Sequence, residues 1–289
     1  MRLAIVVLAA AWCAVAVAPA SAQADARPAQ RLQQRPANSN VAVRLRDGSI
    51  LYGRLERQGG DSLVIVGAAG RVAIATVNIA DVRNAGDAHE SSDGSIEFWF
   101  PNANSTRLFF GPTGRTLPQG EGYFADHYLV LGSLSVGLTD RLQLGVGSFL
   151  IPNSNFWFVL PKIGIVRGEQ FNLAAGAMYG GVRELSGGIG YLVGTWGSAD
   201  RNVTAGVGQG LSGSKVSGKP LGMLGGEWRV SRRVALVSEN YFGAGSDEGL
   251  LSYGMRFLGE KMSVDIAFLN STRHAEFPGF VYVDFVIKW

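Results

Sequence analysis

From Ile96 onward, apolar side chains trade places with small or polar ones in runs of about ten residues, and polar turns separate the runs. In Met262–Phe268, Met262, Val264, Ile266 and Phe268 fall on one face, and Ser263, Asp265 and Ala267 on the other. In the last run Val281, Val283, Phe285, Ile287 and Trp289 share a face, opposed by Tyr282, Asp284, Val286 and Lys288. A period of two is the mark of strands. No stretch of this region carries helical spacing convincingly. Short polar turns at Thr139–Arg141, Gly168–Gln170, Ala199–Arg201, Ser231–Arg233 and Gly259–Lys261 recur about every 30 residues. That interval holds two membrane strands of about 9–11 residues and a longer loop. The longer connections are expected at Ile151–Asn155, Val182–Ser186, Ser212–Lys219, Gly243–Gly249 and Ser271–Pro278.

The two faces have to meet different surroundings. A charge every few positions along one face cannot point at lipid, where it would cost about 2–4 kcal/mol at the midplane, so that face lines a lumen. A sheet in a membrane tolerates no open edge and must close. The chain is therefore expected to be all-β, with a closed antiparallel transmembrane barrel over residues 96–289. With tight turns and both termini on the periplasmic side, Tyr123–Leu138 serves as a descending strand and Ile96–Phe110 as the ascending strand before it, giving twelve strands. Pro101 and the polar run Asn102–Ser105 suit a strand poorly, so ten strands with a plugging N-terminal segment is the alternative. Of the 40 glycines, 32 follow Ile96. Those at Gly145 and Gly147, and at Gly206, Gly208 and Gly210, repeat with period two on the lumen face.

The N-terminal third has other textures. Arg2, an apolar run Leu3–Ala18, Pro19 and Ala20-Ser21-Ala22 read as a signal peptide over residues 1–22. Residues 23–40, rich in Gln, Arg, Pro and Ala, read as a disordered tether. Over residues 41–84, short strands are expected at Val41–Leu45, Ile50–Leu55, Leu63–Val66, Val72–Ile74 and Ile79–Val82, with turns at Asp47-Gly48 and Gly59-Gly60-Asp61. So few short strands stand alone most economically as a small closed barrel. The string VAVRLRDGSILYGRLERQGGDSLVIV resembles the Sm-like and SH3-like small barrels. That likeness implies the fold, while a signal peptide puts the domain in the periplasm, away from RNA. Residues 85–95, polar and turn-rich, read as a linker.

Charge adds exclusions. A formal net charge of +3 from 26 basic and 23 acidic side chains makes no basic stripe, which argues against nucleic acid as a partner. The one cysteine, Cys13, lies in the signal peptide, so the mature chain has no thiol chemistry. Gly208–Gly213 matches GxGxxG but runs along a strand into a loop, without the strand–turn–helix context of a nucleotide site. Of the three histidines, His89 lies in the linker, His127 on a barrel strand and His274 in the last long loop beside Ser271. A Ser271–His274 pair at the rim is a remote candidate for lipid-modifying chemistry, since a nucleophile needs a base within hydrogen-bond reach. No cofactor or metal is expected, and the protein is read as no enzyme.

The lumen charges are the stronger candidates. Glu227, Arg229, Glu239, Arg256, Asp265, Asp284 and Lys288 lie on neighbouring strands at similar depth, with Lys162 on an earlier one. They make either a polar constriction that selects solutes or a salt-bridged network that fills the lumen, and near-equal numbers of each sign favour the network. Trp157, Trp196, Trp228 and Trp289 sit near strand ends, as interfacial anchors do. Val283, Phe285, Ile287 and Trp289 resemble the C-terminal signal that outer-membrane barrels present to their assembly machinery. TRLFFGPTGRTLPQGEGYF (Thr106–Phe124) and the barrel after it resemble a family of Gram-negative outer-membrane β-barrel proteins. That resemblance implies an outer-membrane location and brings no activity with it. The expected function is a narrow pore or passive structural barrel, with outer-membrane lipid and the assembly machinery as partners. The alternative is an envelope scaffold with a filled lumen whose residues 41–84 dock a periplasmic partner.

Overall fold

The computed structural model describes residues 37–289 apart from 60, 68–69, 87, 91–95, 152–153, 213–214, 245–247 and 274–275. The signal peptide with Cys13, residues 23–36 of the tether, and His274 lie outside the described residues. The chain forms two units, one ending at Trp99 and one spanning Phe100–Trp289.

In the first unit β1 (Asn40–Leu45), β2 (Ile50–Gly59), β3 (Ser62–Gly67), β4 (Gly70–Ala75) and β5 (Ile79–Asn84) pair antiparallel in the order β4-β3-β2-β1-β5. A 3-10 turn at Thr76–Asn78 joins β4 to β5. Inward-facing Val41, Val43, Leu55, Leu63, Ile65, Ile74, Ile79 and Val82 make one core. The Asp47-Gly48 turn is built as its sequence asks. Gly48 takes φ +92°, and the Asp47 carboxylate accepts from the Ser49 N–H at 2.8 Å, which holds Asp47 below the usual carboxylate range. On β2, a β-carbon at Gly53 would sit 2.9 Å from the Val66 carbonyl, so only glycine lets β2 and β3 approach here. The expected strands are present, but closure into a small barrel is not: among the described residues, β4 and β5 form edges that pair with nothing further.

The expected linker carries structure of its own. β6 (Ala88–Glu90) pairs with β7 (Ile96–Phe98) as a two-stranded sheet outside the large barrel. Ile96 therefore does not open the barrel, and the expected strand Ile96–Phe110 does not exist. Pro101 and the polar residues after it end the extended run, because proline offers no ladder donor and Asn side chains bond to backbone locally.

In the second unit twelve strands close antiparallel. They are β8 (Gly122–His127), β9 (Leu131–Gly137), β10 (Leu142–Phe149), β11 (Phe156–Arg167), β12 (Phe171–Val182), β13 (Leu185–Gly197), β14 (Arg201–Ser212), β15 (Lys215–Ser231), β16 (Val234–Gly243), β17 (Gly249–Leu258), β18 (Met262–Ser271) and β19 (Phe280–Lys288). The last strand pairs with the first, and the Gly122 and Trp289 backbones exchange hydrogen bonds across that seam. Twelve is the expected number, reached differently. Tyr123–Leu138 is two strands, folded at Tyr128-Leu129-Val130, where Tyr128 and Leu129 take positive φ. That turn is apolar and gives no polar signal.

Two of the five expected long connections are also tight. β12 and β13 extend until only residues 183–184 join them, and β14 and β15 until only residues 213–214 do. Glycines at this end add extended ladder in place of loop. Wall height is uneven around the barrel: β8, β9 and β10 have 6, 7 and 8 residues, against 12 or 13 in β11 to β14.

The barrel is inside-out relative to a soluble protein. Large apolar side chains such as Leu144, Val203, Leu236 and Ile266 are exposed on the outer wall, while Glu239, Arg256, Asp265 and Asp284 are buried. Trp157, Trp196, Trp228 and Trp289 are all exposed near strand ends. Val283, Ile287 and Trp289 face outward with half-buried Phe285, as the alternation of β19 requires.

Candidate functional site

The lumen is occupied by the chain itself. Phe100–Glu121 carries no barrel strand and lies within the wall, with Asn102, Asn104, Thr106, Arg107, Leu108, Phe109, Thr113 and Leu117 all buried. At its centre is a tight hairpin. Arg107 bridges to Pro112, Thr113 N–H donates to Thr106 C=O at 3.0 Å, and Leu108 N–H donates to Gly111 C=O at 2.9 Å. A β-carbon on Gly111 would strike Met223 and the Tyr241 hydroxyl, so glycine sets how closely the tip meets the wall.

A hairpin tip buried in a barrel has peptide groups that need partners. Glu239 on β16, fully buried, takes three of them: its carboxylate accepts from the N–H groups of Phe109 (2.7 Å), Phe110 (3.1 Å) and Gly111 (2.9 Å), and from Tyr241 Oη (2.6 Å). The carbonyls go to cations. Leu108 C=O accepts from Arg256 Nη2 (2.7 Å), Phe109 C=O from Arg107 Nη1 (2.8 Å), and Phe100 C=O from Arg229 Nη1 (2.8 Å). Lys162 Nζ donates to Thr106 C=O at 2.9 Å, and Gly114 N–H donates to Thr195 Oγ1 at 2.8 Å.

The wall charges also neutralise one another. On β18 and β19, Asp265 and Asp284 stand directly opposite, an arrangement that repels unless cations intervene. Two do. Arg256, opposite Asp265 on β17, donates to both of its oxygens at 2.8 Å and to Glu227 at 2.6 Å. Ala235, on the strand between Arg256 and Glu227, leaves room for that reach. Arg107 of the plug pairs with Asp284. Asn102 and Asn104 add Nδ2 donors to Glu227 (2.6 Å) and Ser263 Oγ (2.7 Å). Arg229 pairs with Asp200 at 2.9 Å.

Six of the seven expected lumen charges thus lie buried around the plug. The seventh, Lys288, is at the rim, 2.7 Å from Glu121 where the plug meets β8. The plug's own contributors, Asn102, Asn104 and Arg107, lie in a segment that reads as a poor strand; the polar run Asn102–Arg107 and, after Leu108-Phe109-Phe110, the Gly111-Pro112 pair were the available signs of a turn. His127 faces inward on β8 with Nδ1 2.7 Å from Tyr282 Oη and 3.3 Å from Asp284. Ser271 Oγ donates to Glu248 at 2.9 Å. Of the GxGxxG run, Gly208–Ser212 lies on β14, and the next element among the described residues is the strand β15. No group of three or more metal-ligating side chains occurs among the described residues.

Beside the hairpin tip, between plug and wall, lies a chamber of about 190 Å³. Phe110, Leu160, Met178, Tyr191, Met223 and Tyr241 form its apolar sides, and Thr106, Arg107 and Lys162 also line it.

No family model matches the sequence, and no curated protein matches it. Among solved structures the chain is similar to the KdgM porin, with 10% identity and a TM-score of 0.45 over 58% of this chain and 98% of that one. It is similar also to the NanC porin, with 11% identity and a TM-score of 0.40 over 58% and 97% of the two chains. A third similarity is to Omp33 of Acinetobacter baumannii, with 8% identity and a TM-score of 0.33 over 58% and 95%.

Proposed function

We propose that this chain is an outer-membrane β-barrel held closed at rest by its own Phe100–Glu121 segment, so that passage of a solute requires the plug to move. The observation that carries the reading is Glu239. A carboxylate buried among three consecutive backbone donors and a tyrosine hydroxyl is a latch, since charge-assisted bonds of this kind are about twice as strong as neutral ones. The exposed apolar outer wall and the absence of free edges in the closed sheet support a lipid setting. Val283, Phe285, Ile287 and Trp289 serve in this reading as the terminal signal read by the assembly machinery.

The same reading puts both termini, and the polar turns at Thr139–Arg141, Gly168–Gln170, Ala199–Arg201, Ser231–Arg233 and Gly259–Lys261, on the periplasmic side. The five-stranded sheet is then a periplasmic domain of the SH3-like or Sm-like kind. Its strand order, with β5 returning beside β1 after a 3-10 turn, supports that assignment, and in this reading the domain docks a periplasmic partner.

Purified protein refolded into planar bilayers tests the closed state. Wild-type barrels should insert and carry no steady ionic current. Stable open channels from the wild type would overturn the proposal.

A further inference from the structure

The chamber has apolar sides and a floor supplied with unused donors. Lys162, 4% exposed, donates from Nζ to the carbonyls of Thr106 (2.9 Å) and Thr113 (3.4 Å), and among the described residues no carboxylate lies within 4 Å of it. An ammonium has three donors, so one remains. Arg107 Nε and Thr106 Oγ1, on two further residues that line the chamber, are buried with no hydrogen-bond partner among the described residues. Every other buried cation nearby is matched by an anion: Arg256 by Asp265 and Glu227, Arg107 by Asp284, Arg229 by Asp200. Among these buried basic side chains Lys162 alone has no carboxylate beside its nitrogen. A buried charge is costly until it is paired.

We infer that the chamber binds a small apolar monocarboxylate, an aromatic acid or a short fatty acid, with its carboxylate on Lys162 and its ring or chain against Phe110, Met178, Tyr191 and Met223. Size fits the class: a dry apolar cavity of about 150 Å³ accepts benzene, and the chamber is somewhat larger. The sulfur and aromatic groups suit the face of a ring. The binding energy divides between the two ends, so an acid with no apolar part and an apolar alcohol with no charge both fall short. This inference concerns a ligand of the closed barrel and holds whether or not the plug ever opens.

The test is equilibrium dialysis of the whole refolded protein in nanodiscs against labelled benzoate, with benzyl alcohol and inorganic phosphate as competitors. Benzoate should bind saturably at one site per barrel, and neither competitor should displace it at tenfold excess. Lys162→Met should weaken binding at least tenfold. Because Lys162 also holds the plug, Met178→Trp is the second variant. It fills the chamber from a half-exposed wall position and should abolish binding while the protein keeps its heat-modifiable migration. Absence of saturable benzoate binding to the wild type, full displacement by phosphate, or undiminished binding by Met178→Trp would each overturn the inference.

Discussion

Arg256 allows the worth of the buried network to be measured. Its guanidinium is fully buried and makes four hydrogen bonds: two to Asp265, one to Glu227 and one to the Leu108 carbonyl of the plug. Arg256→Met fills much the same volume but leaves two carboxylates buried beside each other, with Asp284 directly across from one of them. Removing one partner of a buried pair costs about 3–5 kcal/mol, because the surviving charge has no compensation. A shift of that size lowers the folding equilibrium at least a hundredfold. In urea titrations of refolded barrel, followed by tryptophan emission, the midpoint should fall by more than about 1 M. The cost is attributed to stranded charge, so it should be repaired by removing that charge. Arg256→Met combined with Glu227→Gln and Asp265→Asn should regain more than half of the lost stability. Equal midpoints for wild type and Arg256→Met would mean that water, not protein, compensates these carboxylates. Failure of the triple variant to recover would show that the cost lies in packing.

Three further outcomes follow from the same geometry. Glu239→Gln keeps shape but loses charge, weakening the latch on Phe109–Gly111 by about 3 kcal/mol; single-channel recording should show brief openings about a hundred times more frequent than in wild type, and unchanged silence would mean the latch is elsewhere. Deleting Trp289 removes the residue whose backbone closes the seam with Gly122, and should leave little heat-modifiable protein in the outer membrane; a normal yield would remove the terminal-signal reading. An epitope inserted beside Phe277, which is 94% exposed in the longest connection, should be labelled on intact cells, whereas one at Glu169 in a tight turn should not. Labelling at Glu169 alone would invert the orientation.

Alternation made the barrel legible because lipid and lumen impose opposite chemistry on successive residues. From Leu142 onward most strands show it, and the parity of Glu227, Arg229, Glu239, Arg256, Asp265 and Asp284 sets each on one face of its strand, the face on which all six are buried. What parity cannot give is partners. Asp265 and Asp284 look alike in the sequence, yet one is satisfied by Arg256 of the wall and the other by Arg107 of the plug. The plug is legible in the sequence only as the alternative to a first strand, because an irregular segment has no period. Its polar residues are conditioned by individual peptide groups they meet across the lumen, at sequence separations such as that between Phe109 and Glu239. The strand count came out right through two offsetting errors, a false strand at Ile96–Phe110 and a hairpin at Tyr128–Val130 read as continuous. An apolar turn exposed at the rim carries none of the Gly, Asn or Asp that announce a turn in water.

The uneven wall has a consequence for the surrounding bilayer. A strand of six residues is about 20 Å long and, tilted by about 45°, covers roughly 14 Å of height; one of thirteen residues covers about 30 Å. An outer-membrane apolar layer about 25 Å thick is spanned on the β13 side and overtops the β8–β9 side. Leu129, Leu150 and Ile151, all more than half exposed, crown the low sector and extend its apolar reach only slightly. Lipid there must thin, or the barrel must lean until its low side sinks, and each ångström of mismatch costs a fraction of a kcal/mol. The protein is in effect a fixed dent in one leaflet. It would collect at places where the membrane is already thin, and a neighbouring barrel with a similar dent would relieve both by lying beside it.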